Sequence, residues 1–489
     1  MVERSVTLSN VPAQAPAEAL PEGRRSLITF GLAFGLAVTN AYLLISKHQP
    51  LTPYGLFVAS AILWVCAIPL WLFLVGGRRS LGFTAVACGL YAVYFASPAF
   101  SPRPLFRLSK FEPAWSSVEV ALTVGLVGVV ALVAGICGSR IVVARLPRVR
   151  REIDFDRALP PLLIASLVGF VVHLLTRQGT NVRFTSILVA LQDIGMLALG
   201  GLLVAWLRNR LVWWQKVYFI AVMLGISAVG LASGALAEIA FPMSGLAFLY
   251  CWERRRLPLG ALLAGALILA PFQVSKFAYR ETIRSPNTTI VETPSLTKRL
   301  TDFLTITVDM IKEGRIQTDD VVDAHEGRLD MLSIMSIVVE ATPESVPYWD
   351  GYTYSDLIWH VVPRVLVPDK PALSMGQEFP RRYALIQWFD TETSYNLSQI
   401  VEFYINFGWI GVLLGMFLIG TLYAMVEHVC SASTGGALIG ASLLSGLMNV
   451  ESNFAIVWGG IPFRFLAFYA FIRLLPPLKP ELTTGTSPP

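Results

Sequence analysis

Apolar residues in this chain come in long runs, not in alternation or narrow stripes. The runs fall near 27 to 45, 54 to 75, 81 to 99, 117 to 137, 159 to 175, 185 to 207, 213 to 232, 235 to 251, 258 to 276, 398 to 427, 436 to 450 and 453 to 475. A bilayer core takes roughly 20 consecutive apolar residues as a helix, so the pattern predicts about 12 transmembrane helices. The seventh and eighth runs are separated only by Ser233 and Gly234, and the eleventh is short and rich in glycine. The fold class expected is an all-α polytopic membrane protein.

Between the ninth and tenth runs the pattern stops. The segment from Glu281 to Glu392 holds 18 of the 33 acidic residues, and 12 basic residues fall between Lys276 and Arg382. Apolar positions recur at helical spacing over Leu296 to Lys312 and again over Arg328 to Val339. Pro343 to Pro371 carries five prolines and many aromatics, which predicts irregular but packed chain. The expected organisation is a disordered tail over 1–26 and a bundle of about nine helices over 27–277. A large loop domain over 278–397, three C-terminal helices over 398–475 and a second tail over 476–489 complete it.

Composition agrees: 489 residues, 54% of them hydrophobic and 15% charged, are too apolar for a soluble globule. The net charge of +5 comes from arginines that punctuate apolar runs and form no continuous basic surface, so nucleic acid is not an expected partner. Their positions set an orientation, because Lys and Arg in short loops stay cytoplasmic. With the N-terminus inside, Arg24 and Arg25, Arg78 and Arg79, the cluster from Arg140 to Arg157, Arg208 and Arg210, and Arg254 to Arg256 all fall on the cytoplasmic side. The loop over 278–397 is then extracytoplasmic, together with Arg103, Arg107, Lys110, Arg177 and Arg183. The five cysteines lie in or beside apolar runs and form neither a disulfide framework nor a CxxC zinc pattern.

Charge on the outer side is where chemistry is expected. Lys276, Arg280 and Arg284 repeat at intervals of four where the ninth run ends, so a continuing helix stacks them on one face. Snorkelling at a helix end explains such a stripe without function. Added to Arg177, Arg183, Arg328 and Arg364, however, it makes a pool of cations suited to a phosphate or diphosphate. Asp193, Glu238 and Arg464 fall inside apolar runs, where ionisable side chains are costly and either pair between helices or serve a site. For Asp193 interhelical pairing is the reading preferred, whereas Arg464 also fits a role in reaching a lipid diphosphate from within the bundle.

Two stretches carry a resemblance. The loop reads Gly351, Tyr352 and Tyr354, then Pro363-Arg364, then Pro368-Asp369-Lys370-Pro371, and the next helix opens with Glu402, Tyr404, Asn406, Phe407 and Gly408. This resembles the Wzy-type O-antigen and exopolysaccharide repeat-unit polymerases, whose outer loop shows G-x-Y, P-R and P-x-K-P before an E-x-Y-x-N-F-G helix start. The segments Phe272 to Arg280 and Arg328 to Pro343 are also similar to family segments, whereas Val367 stands where the family commonly has an aromatic. The likeness covers about a third of the chain. It implies a GT-C-like fold in a bacterial inner membrane, with the active site facing the periplasm.

The implied activity is that of a glycan polymerase. It would pass a growing chain from polyprenyl diphosphate to a lipid-linked repeat-unit acceptor, inverting the anomeric centre, with a flippase and a chain-length regulator as possible partners beside the bilayer. The leaving group needs mainly cations, and the loop shows no DxD or HExxH pairing, so neither metal nor cofactor is expected. Catalytic candidates are Arg280, Arg328 and Arg364 for the diphosphate, with His360 as first choice of base and Asp330, Asp356 and Glu402 behind it. His360 also fits a packing role beside Trp359 and Val361, Asp330 and Asp356 fit caps or ion pairs, and Glu402 with Asn406 fits a tie between loop and bundle through Arg364 or Lys370. Substrate-binding candidates are Lys276, Arg284, Arg177, Arg183, Tyr352, Tyr354, Lys370, Asn406 and Arg464. An O-antigen ligase-like enzyme, a lipid-linked oligosaccharide flippase and a non-enzymatic assembly component are the competing classes.

Overall fold

The structure is a computed structural model that describes residues 21–46, 49–76, 80–101, 105, 112–177, 185–284, 295–316, 330–355, 357, 359, 367, 375–390 and 393–478. Of residues 185, 186, 277 and 280–284 it describes the backbone alone. Regular structure among the described residues is helical, with a single isolated bridge between Ile153 and Pro477 and no strand. The helices are α1 (Glu22–Ser46), α2 (Pro53–Val75), α3 (Phe83–Phe95), α4 (Ser97–Phe100), α5 (Trp115–Gly138) and α6 (Arg140–Val143). Then come α7 (Phe155–Arg177), α8 (Thr185–Leu207), α9 (Trp213–Ala232), α10 (Ala237–Arg254), α11 (Leu259–Arg284) and α12 (Leu296–Lys312). The chain continues through α13 (Met331–Ala341), α14 (Met375–Arg382), α15 (Gln399–Cys430), α16 (Thr434–Leu447), α17 (Phe454–Trp458) and α18 (Ile461–Leu474).

Every apolar run holds a helix, but among the described residues nine stretches, not twelve, are long and apolar enough to cross a membrane. The other three fall short for local reasons. The third run breaks at Ala96, where Pro98 opens a separate turn, leaving α3 with 13 residues. Helix α10 carries Glu238, Glu253 and Arg254 within 18 residues, and α16 has only 14. The last span is itself interrupted at Gly459 and Gly460, between α17 and α18. The architecture fits an all-α polytopic membrane protein.

The bundle has two chemically different ends. At one, Arg208 forks onto Glu253 at 3.0 Å through two nitrogens and reaches Thr434 Oγ1 at 3.1 Å. Arg151 donates to the carbonyls of Arg473 and Leu475 nearby. At the other end lie helices of the 278–397 segment. Ser295 caps α12, whose Phe303 is buried and stacks on Tyr279 with ring centroids 4.5 Å apart. Arg299 of α12 donates to the carbonyl of Arg177, the last residue of α7, at 3.2 Å. Helix α13 buries Met331, Leu332, Met335 and Val338 in the same apolar core as the bundle. These helices are laid on the bundle end, each by its own apolar face. Helix α11 runs unbroken through 276, 280 and 284, the continuation that places the three on one face.

Candidate functional site

Two constellations of polar side chains sit at this end of the bundle. The first joins the two motif stretches. Asn406, fully buried in α15, accepts the Gly351 backbone N–H at 2.9 Å and donates to Thr353 Oγ1 at 2.9 Å and to the Glu402 carbonyl at 2.8 Å. Trp349 N–H donates to the Ile405 carbonyl at 2.9 Å. Helix α15 then breaks at Gly408, whose φ of 60° and ψ of −145° suit glycine alone, and a Cβ there would stand 2.8 Å from the Tyr348 hydroxyl. The turn around Gly351 therefore seats directly on the kink. Glu402, also fully buried, accepts the Phe454 N–H at 2.5 Å and so ties the start of α15 to the start of α17.

This arrangement makes Asn406 an anchor of the Gly351 turn on the bundle, whereas Glu402 ties two helices within the bundle; Arg364 and Lys370, the partners expected for the pair, lie outside the described residues. Tyr354 is packed, its ring lying parallel to Phe407 at 6.2 Å and against Phe403 and Phe454. Burial, and secondarily the Glu402 carboxylate, pushes its phenol upward. Tyr352 is the open one, 46% exposed, with the Arg382 guanidinium 5.3 Å from its ring and 4.1 Å from that of Trp349. Asp330 is the N-cap of α13 and accepts the Ser333 N–H at 2.9 Å, which is the capping role.

The second constellation is a cavity of about 230 Å³ between α7, α8, α10, α16 and α18. Arg177 at the end of α7 pairs with Glu238 in the first turn of α10 at 2.5 Å, and Arg464 in the first turn of α18 pairs with Asp193 of α8 at 3.0 Å. His173, 5% exposed, lies one turn before Arg177 and lines the same space. Neither of its ring nitrogens has a hydrogen-bond partner among the described residues; Gln192 of α8 lies beside the ring without bonding geometry. Ser442 and Ser445 of α16 add hydroxyls to the wall. Close approach of α7 and α8 sets the shape: Gly169 and Gly195 meet so nearly that a Cβ on either would stand about 2.5 Å from the other's Cα.

The site thus gathers Arg177 and Arg464 from the sequence candidates and adds the two acids that were flagged within apolar runs. Lys276 is buried on α11 and is absent from the cavity wall. The side chains of Arg280 and Arg284 lie outside the described residues, as do Arg183, Arg328, His360, Arg364, Lys370 and Asp356. The sequence reading passes over His173 and Gln192. The signal for the histidine is its spacing of four before Arg177, which places a second titratable group on one face of a membrane helix.

Fold and site together define an all-helical protein with membrane-length helices and a charged cavity between them. A family model described as a domain of unknown function, DUF8712, matches residues 278–476, the part that contains both motif stretches and Arg464. No curated protein matches the chain, and no solved structure does.

Proposed function

We propose that this chain is a membrane glycosyltransferase of the glycan-polymerase type, which moves a growing glycan from polyprenyl diphosphate onto a lipid-linked repeat-unit acceptor. The observation that carries this reading is the cavity: two arginines, two carboxylates and a histidine meet inside the bundle, at the end that the 278–397 segment covers. Guanidinium groups hold a departing diphosphate as its charge grows, and carboxylates accept hydrogen bonds from sugar hydroxyls. The seating of the Gly351 turn on Asn406 supports the same reading, because it brings the two stretches of family likeness into one contact. The arginine-rich short loops favour an extracytoplasmic position for this end, and the family likeness implies a bacterial inner membrane and its periplasm.

Purified full-length protein is incubated with polyprenyl-diphosphate-linked repeat units, with and without chelator, and chain length is read on a gel. Ladder formation is expected from the wild type, with loss in Arg177→Ala and in Arg464→Ala. Absence of any glycan transfer by wild-type protein refutes the proposal. One feature favours a transporter of the same lipid-linked oligosaccharides, namely that the charged groups lie among the helices. Reconstituted vesicles that translocate the lipid without joining repeat units would establish that alternative.

A further inference from the structure

The cavity contains several groups able to interact with a hydroxyl, and they differ in what they already hold. Asp193 and Glu238 each carry an arginine, Arg464 and Arg177 respectively. A proton taken by either carboxylate weakens an ion pair that ties two helices together, which is unfavourable. His173 is different. It is buried, it lines the cavity, and both ring nitrogens are without hydrogen-bond partners among the described residues. A histidine kept for packing ordinarily gives its N–H to a carbonyl or carboxylate, because leaving it unbonded in an apolar bundle is unfavourable. One neutral-imidazole nitrogen is an acceptor, and taking a proton there dissolves no ion pair.

We infer that His173 is the proton acceptor for the attacking sugar hydroxyl, a role that rests on the glycosyltransferase reading. In the step, the acceptor oxygen bonds to the anomeric carbon as the bond from that carbon to the diphosphate oxygen breaks. The electron pair leaves with the diphosphate, and the hydroxyl proton passes to the unprotonated ring nitrogen of His173. The imidazolium so formed faces Arg177 on its own helix, Asp193 on α8, Glu238 on α10 and Arg464 on α18, two charges of each sign. Helix α9, packed against α7, presents the apolar Ile226 to the cavity, and α16 presents the neutral Ser442 and Ser445. The new charge therefore meets no excess of positive charge. Gln192, beside the ring, is placed to orient it.

The test uses full-length protein and polyprenyl-diphosphate-linked repeat units, with initial rates taken from about pH 5 to about pH 9. Wild-type rate should fall on the acid side as the imidazole becomes protonated and loses its acceptor nitrogen. His173→Gln should be about 100-fold to 10,000-fold slower and lose that acid limb, with half-saturating substrate little changed. Added imidazole should restore part of the rate to His173→Ala but none to Arg464→Ala. Thermal unfolding in detergent checks that the variants stay folded. Wild-type rate and profile in His173→Gln overturn the inference while leaving the glycosyltransferase reading intact. A slow His173→Gln that keeps the acid limb and resists imidazole rescue also overturns it, assigning a structural role. Wild-type protein inert toward every lipid-linked acceptor overturns that reading and this inference with it.

Discussion

Asn406→Ala probes the seam between loop and bundle. The amide makes two bonds across it, accepting from Gly351 N–H and donating to Thr353 Oγ1, both at 2.9 Å. Its third bond, to the Glu402 carbonyl, stays within α15 and matters less to the seam. Removing it leaves the Thr353 hydroxyl, wholly buried, and the Gly351 amide, half-buried, without these partners. A stranded buried polar group costs about 1–3 kcal/mol; with the lower figure for the half-buried amide, the loss is about 2–4 kcal/mol. At 1.4 kcal/mol per tenfold, opening of the Gly351 turn becomes about 30-fold to several-hundred-fold more frequent. Hydrogen exchange followed by mass spectrometry on peptides spanning 348–355 reads this directly. Asn406→Asp should fare no better, since it keeps an acceptor for Gly351 but puts a second carboxylate one turn from buried Glu402. Unchanged exchange over 348–355 in Asn406→Ala would show that the turn is held by something else.

The Asp193 and Arg464 pair should show coupling in a double-mutant cycle. Their side chains are 25% and 39% exposed, so the several kcal/mol of a buried pair reduces to about 1–3 kcal/mol of interaction. Unfolding in mixed micelles of Asp193→Asn, Arg464→Gln and the double variant measures it, and additivity within about 0.5 kcal/mol would show that the two do not interact. Gly195→Val is expected to force α7 and α8 apart at Gly169, lowering the unfolding midpoint and abolishing any ligand binding in the cavity. A variant as stable as wild type would contradict the close approach.

Run length alone located the helices, because in lipid every backbone polar group must be satisfied within the segment, and this leaves few alternatives to a helix for 20 apolar residues. What it could not do was separate a spanning helix from a short one, since α3, α10 and α16 differ from their neighbours by one proline, three charges or a few residues. The break at Gly408 was equally hidden: a glycine after Asn-Phe is compatible with a continuing helix until Tyr348 is seen occupying the space of its Cβ. Asn406 was legible as a member of a motif, and its role as an anchor required its partners 55 and 53 residues away. Pairings such as Arg177 with Glu238 are a property of which helices become neighbours, and hydropathy carries no such information.

The pairing bears on how a charged site can exist in this bundle at all. An arginine alone at the centre of a membrane helix costs about 2.5–3.5 kcal/mol on insertion scales, an upper bound for Arg177, which stands at the end of its helix. Both arginines of the cavity instead reach across to an acid on a different helix, Arg177 from α7 to α10 and Arg464 from α18 to α8. The empty site is then electrically neutral and its helices are tied pairwise. Under the proposed function an incoming diphosphate would compete with two carboxylates for the same guanidinium groups, so its net gain would be the difference between two sets of bonds. Such exchange weakens ground-state binding while leaving the cations in place for the charge that develops as the glycosyl bond breaks. Under the proposed function this is an advantage, because a carrier diphosphate released at every cycle must not be held by unopposed arginines. On the same reading His173, which carries no ion pair, is the lining group able to take a proton without loosening either helix pair.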